Sequence, residues 1–449
     1  MAASETSPPR GAAARRSRMQ DMVRSLHHPN FQLFFGGQLI SLIGTWMDTF
    51  AEAWLVYRLT HSSLLLGIAA FASQIPVFML APIGGVVADR FNRHRVVIST
   101  QASAMVLAGI LSALTLTKRV TVTDVIVLAA LMGCVNAFDI PARQAFLVDM
   151  VGREDLMNAI ALNSSMFNGA RLLGPSVAGI LVASIGEGWC FFGNAVSYIA
   201  VIAGLLLMKI DPTDTARREG SPIEHIKEGF LFVQNTAPIR AILLLLGLVS
   251  LVGMPYTVLM PVFATRILHG NANTMGVLMG ATGFGALTGA LLLASRTELR
   301  GLGRFVFISC AGFGGTLVLF SFSHWYALSV ALLVPVGFCM MVQMASSNTL
   351  IQAMVPDALR GRTMAVYSVM FMGMAPLGAL LAGGAAQRIG APWTVALGGA
   401  IAIVGALIFG RHLPKIRIEA RQLILAQGLA AGEPVQEMNS SAIRDATGG

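Results

Sequence analysis

The sequence has very little charge for its length. Of its 449 residues, 12% are Asp, Glu, Lys or Arg, whereas 55% are hydrophobic. Soluble domains carry about 25% charged residues, so this chain cannot cover a soluble surface of its size. A membrane-spanning helix needs about 20 apolar residues, and the composition supplies roughly twelve such helices. The scarcity of charge excludes a soluble protein and predicts an all-α membrane protein.

Motifs for common catalytic and cofactor sites are also missing. No Lys follows a Gly, which excludes a phosphate-binding P-loop, and no His precedes a Glu, which excludes the metalloprotease helix. No Gly-x-Ser-x-Gly nucleophile elbow is present. The cysteines lie far apart in apolar runs, so they predict neither disulfides nor a zinc site. We therefore expect no enzyme activity, no metal and no cofactor, and no process powered by ATP.

Apolar runs between short polar breaks predict twelve membrane-spanning helices. They lie near residues 31–57, 64–88, 96–117, 122–142, 157–185, 189–208, 239–264, 274–295, 303–322, 325–350, 363–387 and 392–410. The polar stretch between the sixth and seventh contains apolar residues at helical spacing, which is typical of an amphipathic helix on the membrane surface. The predicted organisation is a tail over 1–28, a six-helix bundle over 29–208, a linker over 209–236, a second bundle over 237–411 and a loose polar tail over 412–449.

The two halves of the chain repeat each other. When residue i is aligned with residue i + 204, 14 of the 40 pairs between 150–189 and 354–393 are identical. Matching helices with the same orientation indicate a parallel two-fold repeat about an axis along the membrane normal. Two six-helix bundles related in this way can rock about a midplane cavity, which is a transporter architecture.

The distribution of Lys and Arg predicts the orientation. Twelve spans place five of the 31 basic residues in loops opposite the termini and Arg171 inside a span, and the other 25 lie on the side of the termini. Because basic loops stay in the cytoplasm, we expect a multi-pass protein of the cell (inner) membrane with both termini cytoplasmic. The net charge of +9 then faces the anionic lipid bilayer, and no nucleic acid partner is expected.

The first predicted helix carries a polar stripe. Gln38, Ser41, Thr45, Asp48 and Glu52 follow one another at steps of three or four residues, so they share one face. Carboxylates are costly at membrane depth and mark ion or substrate pathways. Because Asp48 and Glu52 lie one turn apart, their titrations are coupled, and the pair can carry a proton. The alternative is that both lie near the outer interface and are hydrated.

The fifth predicted helix places Asn168 and Arg171 on one face. Arg171 cannot lose its charge, so it needs a partner or a wet cavity. Asp48, Glu52 or an anionic substrate meets that need, and a structural ion pair without substrate contact is the alternative.

The second half has almost no acids. Between Pro238 and Arg411 the acids are Glu298 and Asp357, both in loops, so proton carriers are expected in the first half. The second bundle contributes the amide of Gln343 and several methionines, which adapt to apolar ligands or simply fill space. The predicted cavity for protons and substrate therefore combines Gln38, Thr45, Asp48, Glu52, Asn168, Arg171 and Gln343.

The end of the fourth predicted helix carries Asp139 and Arg143, which are four residues apart and suited to pair. Pro141 lies between them and interrupts the helical hydrogen bonds. We favour a role as a cytoplasmic gate or loop anchor over contact with substrate.

The loop after the second predicted helix reads Gly85-Val-Val-Ala-Asp89-Arg90-Phe-Asn-Arg93-His-Arg. It resembles the signature Gly-x-x-x-Asp-Arg-x-Gly-Arg-Arg/Lys of the major facilitator superfamily, with Asn in place of the second Gly. The resemblance implies the major facilitator fold and a cytoplasmic conformational gate at Gly85, Asp89, Arg90 and Arg93. Charges that only set the topology are the alternative.

The fifth predicted helix also contains Gly174, Pro175 and Gly179, which is similar to the Gly-Pro motif of the superfamily's proton-coupled exporters. Residues 37–60 and 158–171 resemble a bacterial branch that includes the enterobactin exporter and macrolide efflux proteins. The resemblance covers about residues 29–411 and implies export from the cytoplasm. We therefore expect a secondary active transporter, functional as a monomer, that exports a small, partly apolar drug-like, macrolide-like or siderophore-like compound against protons. Uptake or lipid flipping by the same fold is the alternative, and a non-transporting sensor or enzyme is a weaker one.

Overall fold

The computed structural model describes residues 24–152, 154–209, 222–295 and 301–430, and almost all of them are helical. The long helices are α1 Pro29–Thr60, α2 Ser63–Arg90, α3 Arg93–Leu116, α4 Val122–Val151, α5 Leu156–Ile185, α6 Glu187–Leu207, α7 Ala237–Ile267, α8 Ala272–Ala294, α9 Leu302–Ser321, α10 Tyr326–Met354, α11 Asp357–Ile389 and α12 Ala391–Ala430. A linker helix, Pro222–Asn235, lies between α6 and α7. No strand occurs in the four described ranges, which confirms the all-α prediction.

Eleven of these helices, α2 to α12, are long and apolar enough to cross a bilayer. The remaining one, α1, is 32 residues long and is not among these eleven. It packs lengthwise against α5 and α6, inside the first bundle. The protein is therefore a multi-pass membrane protein, and a twelfth span at α1 stays a prediction.

Two predicted helix ends are wrong. The fourth helix does not stop near residue 142 but continues past Pro141 to Val151, because its apolar face stays buried at Phe146 and Met150. The last helix does not end near residue 410. It continues to Ala430, and Leu413 and Ile416 remain about nine-tenths buried, so residues 413–430 are not loose. The rest of the predicted tails and linker, at 1–23, 210–221 and 431–449, lies outside the described residues.

The helices form two bundles. In the first, α1 packs on α5 and α6, α2 on α4, and α3 on α4 and α6. In the second, α8 and α9 pack on α10, and α12 packs on α9 and α7. The bundles meet along two pairs of helices, α2 with α11 and α5 with α8.

The sequence repeat reappears in the helix bounds. The fourth helix begins at Val122 and α10 begins at Tyr326, 204 residues later. The same offset separates the loop glycines Gly186 and Gly390, which have φ angles of 90° and 86°. A residue with a Cβ is strained at such angles, so both halves need glycine to turn directly into the next helix. The two bundles are therefore a parallel repeat, as predicted.

The bundles make close contacts near one end. We call the face where α1 begins the terminal face and the face where α1 ends the far face. Near the far face, a Cβ added to Gly67 of α2 would lie 2.6 Å from a backbone oxygen of α11, and one added to Gly179 of α5 would lie 2.8 Å from the Cα of Gly276 in α8. The bundles are therefore packed closely together near the far face.

Two side chains of the second bundle hold the turn between α1 and α2. Arg266 of α7 donates a 3.0 Å hydrogen bond from Nη2 to the carbonyl oxygen of His61, and its guanidinium lies 5.8 Å from the centroid of the Tyr57 ring. Gln387 of α11 accepts a 3.1 Å hydrogen bond from the backbone N–H of Ser63. A cation at the C-terminus of α1 and an acceptor at the N-terminus of α2 both match the unpaired backbone groups of those helix ends. These contacts join the two bundles at the far face.

The linker helix docks on the second bundle. Glu228 forms an ion pair with Arg362 at the start of α11, and a Cβ on Gly229 would lie 2.5 Å from the carbonyl oxygen of Arg362. Phe230 and Leu231 remain exposed on this helix. Its contact with the membrane surface stays a prediction.

Candidate functional site

The polar stripe of α1 faces the interior of the first bundle, toward α6. A Cβ added to Gly44 would lie 2.8 Å from Oδ1 of Asn194 on α6. Gln38 is 2% exposed, and neither its Oε1 nor the Oδ1 of Asp48 has a hydrogen-bond partner among the described residues. Thr45 donates its hydroxyl proton back to its own helix. The stripe therefore lines a polar interior of one bundle and is not turned toward the second.

Asp48 and Glu52 form a carboxylate pair beside α6. The amide of Asn194 lies next to Asp48, and Glu52 and Tyr198 lie within electrostatic range of it. Within the described residues, the ion pairs involve other acids, and neither Asp48 nor Glu52 has a basic partner. Both side chains are partly buried. The pair is thus a carboxyl site inside the first bundle, with amide and hydroxyl groups around it and no basic partner among the described residues.

Arg171 lies on the other side of α1. Its guanidinium carbon lies 5.8 Å from the centroid of the Trp46 ring, and that ring meets Phe167 edge-on with centroids 5.6 Å apart. Side chains two residues apart on a helix point about 200° apart, so Trp46 and Asp48 face opposite sides of α1. The structure does not pair Arg171 with Asp48 or Glu52, and no ion pair of Arg171 occurs in the described part of the chain.

Tyr256 of α7 faces Arg171 from the second bundle, within electrostatic range. Its side chain is 2% exposed, and its hydroxyl lies beside Thr282 of α8 without the geometry of a hydrogen bond to it. The sequence reasoning missed Tyr256, Trp46 and Asn194. Prolines flanking Tyr256 and a lone Asn in the apolar sixth helix were the available signals.

Asn168 and Gln343, the other two predicted cavity residues, differ in accessibility. Asn168 lies about one turn from Arg171, is partly exposed, and donates from Nδ2 to the carbonyl oxygen of Ser164 on its own helix. Gln343 of α10 is 1% exposed, and both of its amide atoms are buried without a partner in the described structure. The structure therefore brings Asn168 to the arginine site but encloses Gln343 within the second bundle.

Asp139 and Arg143 form a buried network between α3 and α4. Asp139 Oδ1 accepts hydrogen bonds of 2.8 Å from Thr100 and from Gln101, and Arg143 lies 3.1 Å from Oδ2. Asp139 is 3% exposed. All four residues belong to the first bundle, so in this conformation the network joins two of its helices. A gate role for the pair stays a prediction.

The signature loop is open in this conformation. Asp89 and Arg90 are exposed, and neither side chain has an ion pair or hydrogen bond among the described residues. Arg93 instead reaches Asp149 at the end of α4, at 3.1 Å, and donates to the carbonyl oxygen of Ala88. The loop therefore joins helices of the first bundle, and none of its hydrogen bonds or ion pairs among the described residues reaches the second bundle.

The exporter-like motif of α5 lies at close helix crossings. A Cβ on Gly174 would lie 2.4 Å from Cβ of Trp46 in α1, and Gly179 packs on Gly276 in α8. A Cβ added to Gly276 would also lie 3.0 Å from the carbonyl oxygen of Pro175. The small residues therefore let α5 touch α1 in its own bundle and α8 in the other.

Two parallel six-helix bundles with charged side chains isolated inside the spans are typical of membrane transporters. Residues 22–433 match the family model described as transmembrane secretion effector. The chain belongs to this family of the major facilitator superfamily.

Curated relatives are similar over most of their length. The staphyloferrin A transporter of Staphylococcus aureus is 26% identical over 381 residues, which is 84% of this chain and 94% of that protein. The enterobactin exporter EntS of Escherichia coli (strain SMS-3-5) is 25% identical over 396 residues, 88% of this chain and 93% of that protein. These relatives are transporters of small molecules.

Solved structures share the fold at low identity. A mutant form of the nucleoside transporter NupG superimposes with a TM-score of 0.68 at 12% identity, covering 86% of this chain and 99% of that one. A bacterial homologue of the iron transporter ferroportin in an inward-facing state gives 0.63 at 15% identity, covering 86% and 98%. These likenesses support the major facilitator fold that the signature loop implies.

Proposed function

We propose that this transporter exports a small, partly apolar, negatively charged compound of siderophore-like chemistry, driven by inward proton flow, and that it acts as a monomer. The observation that carries the proposal is Arg171. It is a permanent cation in a spanning helix, without an acidic partner in the described structure and beside the aromatic rings of Trp46 and Phe167. A charge in this position calls for an anion, and the rings offer contact to apolar groups of the same ligand.

The proton site is a separate place in this proposal. Asp48 and Glu52 lie across α1 from Arg171, so a proton on the pair and an anion on the arginine do not compete for one position. Because Trp46 and Asp48 belong to the same helix, a movement of α1 shifts both the arginine site and the carboxyl pair. Protonation inside the first bundle and release of the anion beside α5 are coupled through that helix.

The charge distribution supports the orientation. The sequence predicts 25 of the 31 basic residues on the side of the termini, which favours the cytoplasm for the terminal face. Export then requires that the closely packed far face opens to release substrate. The relative EntS is an exporter, which agrees with this direction.

The experiment uses everted membrane vesicles from cells that express the chain, with the terminal face outward. An acidic lumen is imposed, and accumulation of labelled enterobactin, staphyloferrin A and a cationic macrolide is followed. Accumulation of an anionic compound that collapses with the pH gradient is the expected result. Accumulation of the macrolide alone would overturn the anionic assignment. Transport without dependence on the gradient, or in right-side-out vesicles alone, would overturn the proton coupling or the direction.

A further inference from the structure

The hydroxyl of Tyr256 is a buried polar group whose one polar neighbour among the described residues, Thr282, does not reach the geometry of a hydrogen bond. The Tyr256 side chain is 2% exposed. Buried polar groups in folded proteins are almost always paired, and leaving one unpaired is unfavourable. Such a group at the interface of two bundles indicates a contact that another partner completes.

The surroundings of this hydroxyl point to an acid. Arg171 lies within electrostatic range on the first bundle, and Thr282 is the polar neighbour on the second. The Tyr256 ring is fixed by an edge-on contact with Phe313, with centroids 6.2 Å apart. A phenol hydroxyl and a guanidinium are both donors, so an acidic oxygen between them accepts from both.

The backbone around Tyr256 is irregular. In α7, a π-helical segment at Val249–Gly253 is followed by a 3-10 turn at Met254–Thr257, and a second π segment spans Phe263–Ile267. Interruptions of this kind in a helix mark functional hinges. Tyr256 therefore lies on the part of α7 that is best suited to move relative to the rest of its bundle.

We propose that the acidic group of the exported compound bridges Arg171 of the first bundle and the Tyr256 hydroxyl of the second. This inference rests on the proposed function and adds a second residue, Tyr256, to the anion site at Arg171. The acid, a carboxylate or a catecholate, accepts one hydrogen bond from each bundle. A bound acidic group therefore links α5 to the irregular segment of α7. Binding of substrate then favours movement of the two bundles together.

The Tyr256→Phe variant removes the hydroxyl alone. Because that oxygen has no partner, the variant is expected to fold with an unchanged or slightly higher Tm. Tyr57→Phe is a matched control: Tyr57 is also 2% exposed with an unpartnered hydroxyl, but it lies at the far face beside Arg266. Arg171→Gln tests the first half of the site.

The purified full-length protein is titrated in detergent with citrate, benzoate and catechol, and the shift in Tm gives an apparent Kd. At least one acid is expected to stabilise the wild type. Tyr256→Phe should weaken that acid about tenfold or more, as for a hydrogen bond to a charged group, and Tyr57→Phe should not. Benzyl alcohol, which is neutral, should not distinguish the proteins.

The outcomes separate the two proposals. Loss of binding in Arg171→Gln with wild-type binding in Tyr256→Phe would overturn the bridge and leave the arginine site intact. Wild-type binding in Arg171→Gln would overturn the anion site itself. The acids are tested up to about 10 mM, which is above the Kd of weak specific binding. If none of the three stabilises the wild type, both the anion site and the bridge are overturned.

Discussion

Arg266 of the second bundle donates a hydrogen bond of 3.0 Å to the carbonyl oxygen of His61, the residue that caps the C-terminus of α1. The bond joins the two bundles at the face where they are closed. Its cation also complements the negative end of the α1 dipole. Opening the far face has to break this bond, so Arg266 sets part of the balance between the two conformations.

Replacing Arg266 with Ala is expected to loosen the far face. Amides of the α1–α2 turn, residues 61–66, should exchange with deuterium several-fold faster, because the turn loses its hydrogen bond and its contact with Tyr57. Hydrogen exchange with mass spectrometry measures this. Arg388→Ala, an exposed arginine of the same face at the end of α11, is the control and should leave the turn unchanged. Equal exchange in both variants would show that the bond does not hold the gate.

The Gly276→Val variant is expected to prevent closure of the far face. A Cβ at Gly276 would lie 2.9 Å from the Cα of Gly179, so the larger side chain forces α5 and α8 apart. Transport in everted vesicles should fall about tenfold or more while the protein still reaches the membrane. Gly315→Val is the matched control, because a Cβ at Gly315 meets no atom within 4 Å. Normal transport by Gly276→Val would contradict the close packing of these helices as a requirement for the cycle.

The Asp139→Ala variant is expected to destabilise the first bundle. Removing this carboxylate leaves Arg143 without its ion-pair partner and the side chains of Thr100 and Gln101 without their acceptor. Loss of one partner of a buried pair costs about 3 kcal/mol, which appears as a lower Tm of the protein in detergent. The exposed pair of Asp357 and Arg360 is the comparison, and Asp357→Ala should change Tm little. Equal Tm values for the two variants would contradict a structural role for the network.

The sequence could predict the fold because its main signals are local. Apolar runs locate the helices, and the repeat of 204 residues relates the bundles before any contact is known. The errors lie at helix ends, because tertiary packing determines where a helix ends. The apolar run predicted an end of α4 near residue 142, but buried residues such as Phe146 keep the helix going.

The site could be predicted in its parts but not in its arrangement. Helical spacing places Asp48 and Glu52 on one face, and it identifies Arg171 as an isolated cation. Spacing within one helix does not show which neighbouring helix that face meets. Asp48 therefore meets Asn194, whereas Arg171 meets Trp46 and, across the interface, a tyrosine in an irregular part of α7.

Asp48 is the proposed carrier of the proton that drives export. The most direct measurement compares Asp48→Asn with the wild type in proteoliposomes, with enterobactin accumulation against an imposed pH gradient and enterobactin counterflow without one. Asp357→Asn, an exposed acid at the start of α11, is the matched control. We expect Asp48→Asn to lose gradient-driven accumulation and to keep counterflow, because the arginine site lies on the other side of α1. Undiminished gradient-driven accumulation by Asp48→Asn would contradict the account.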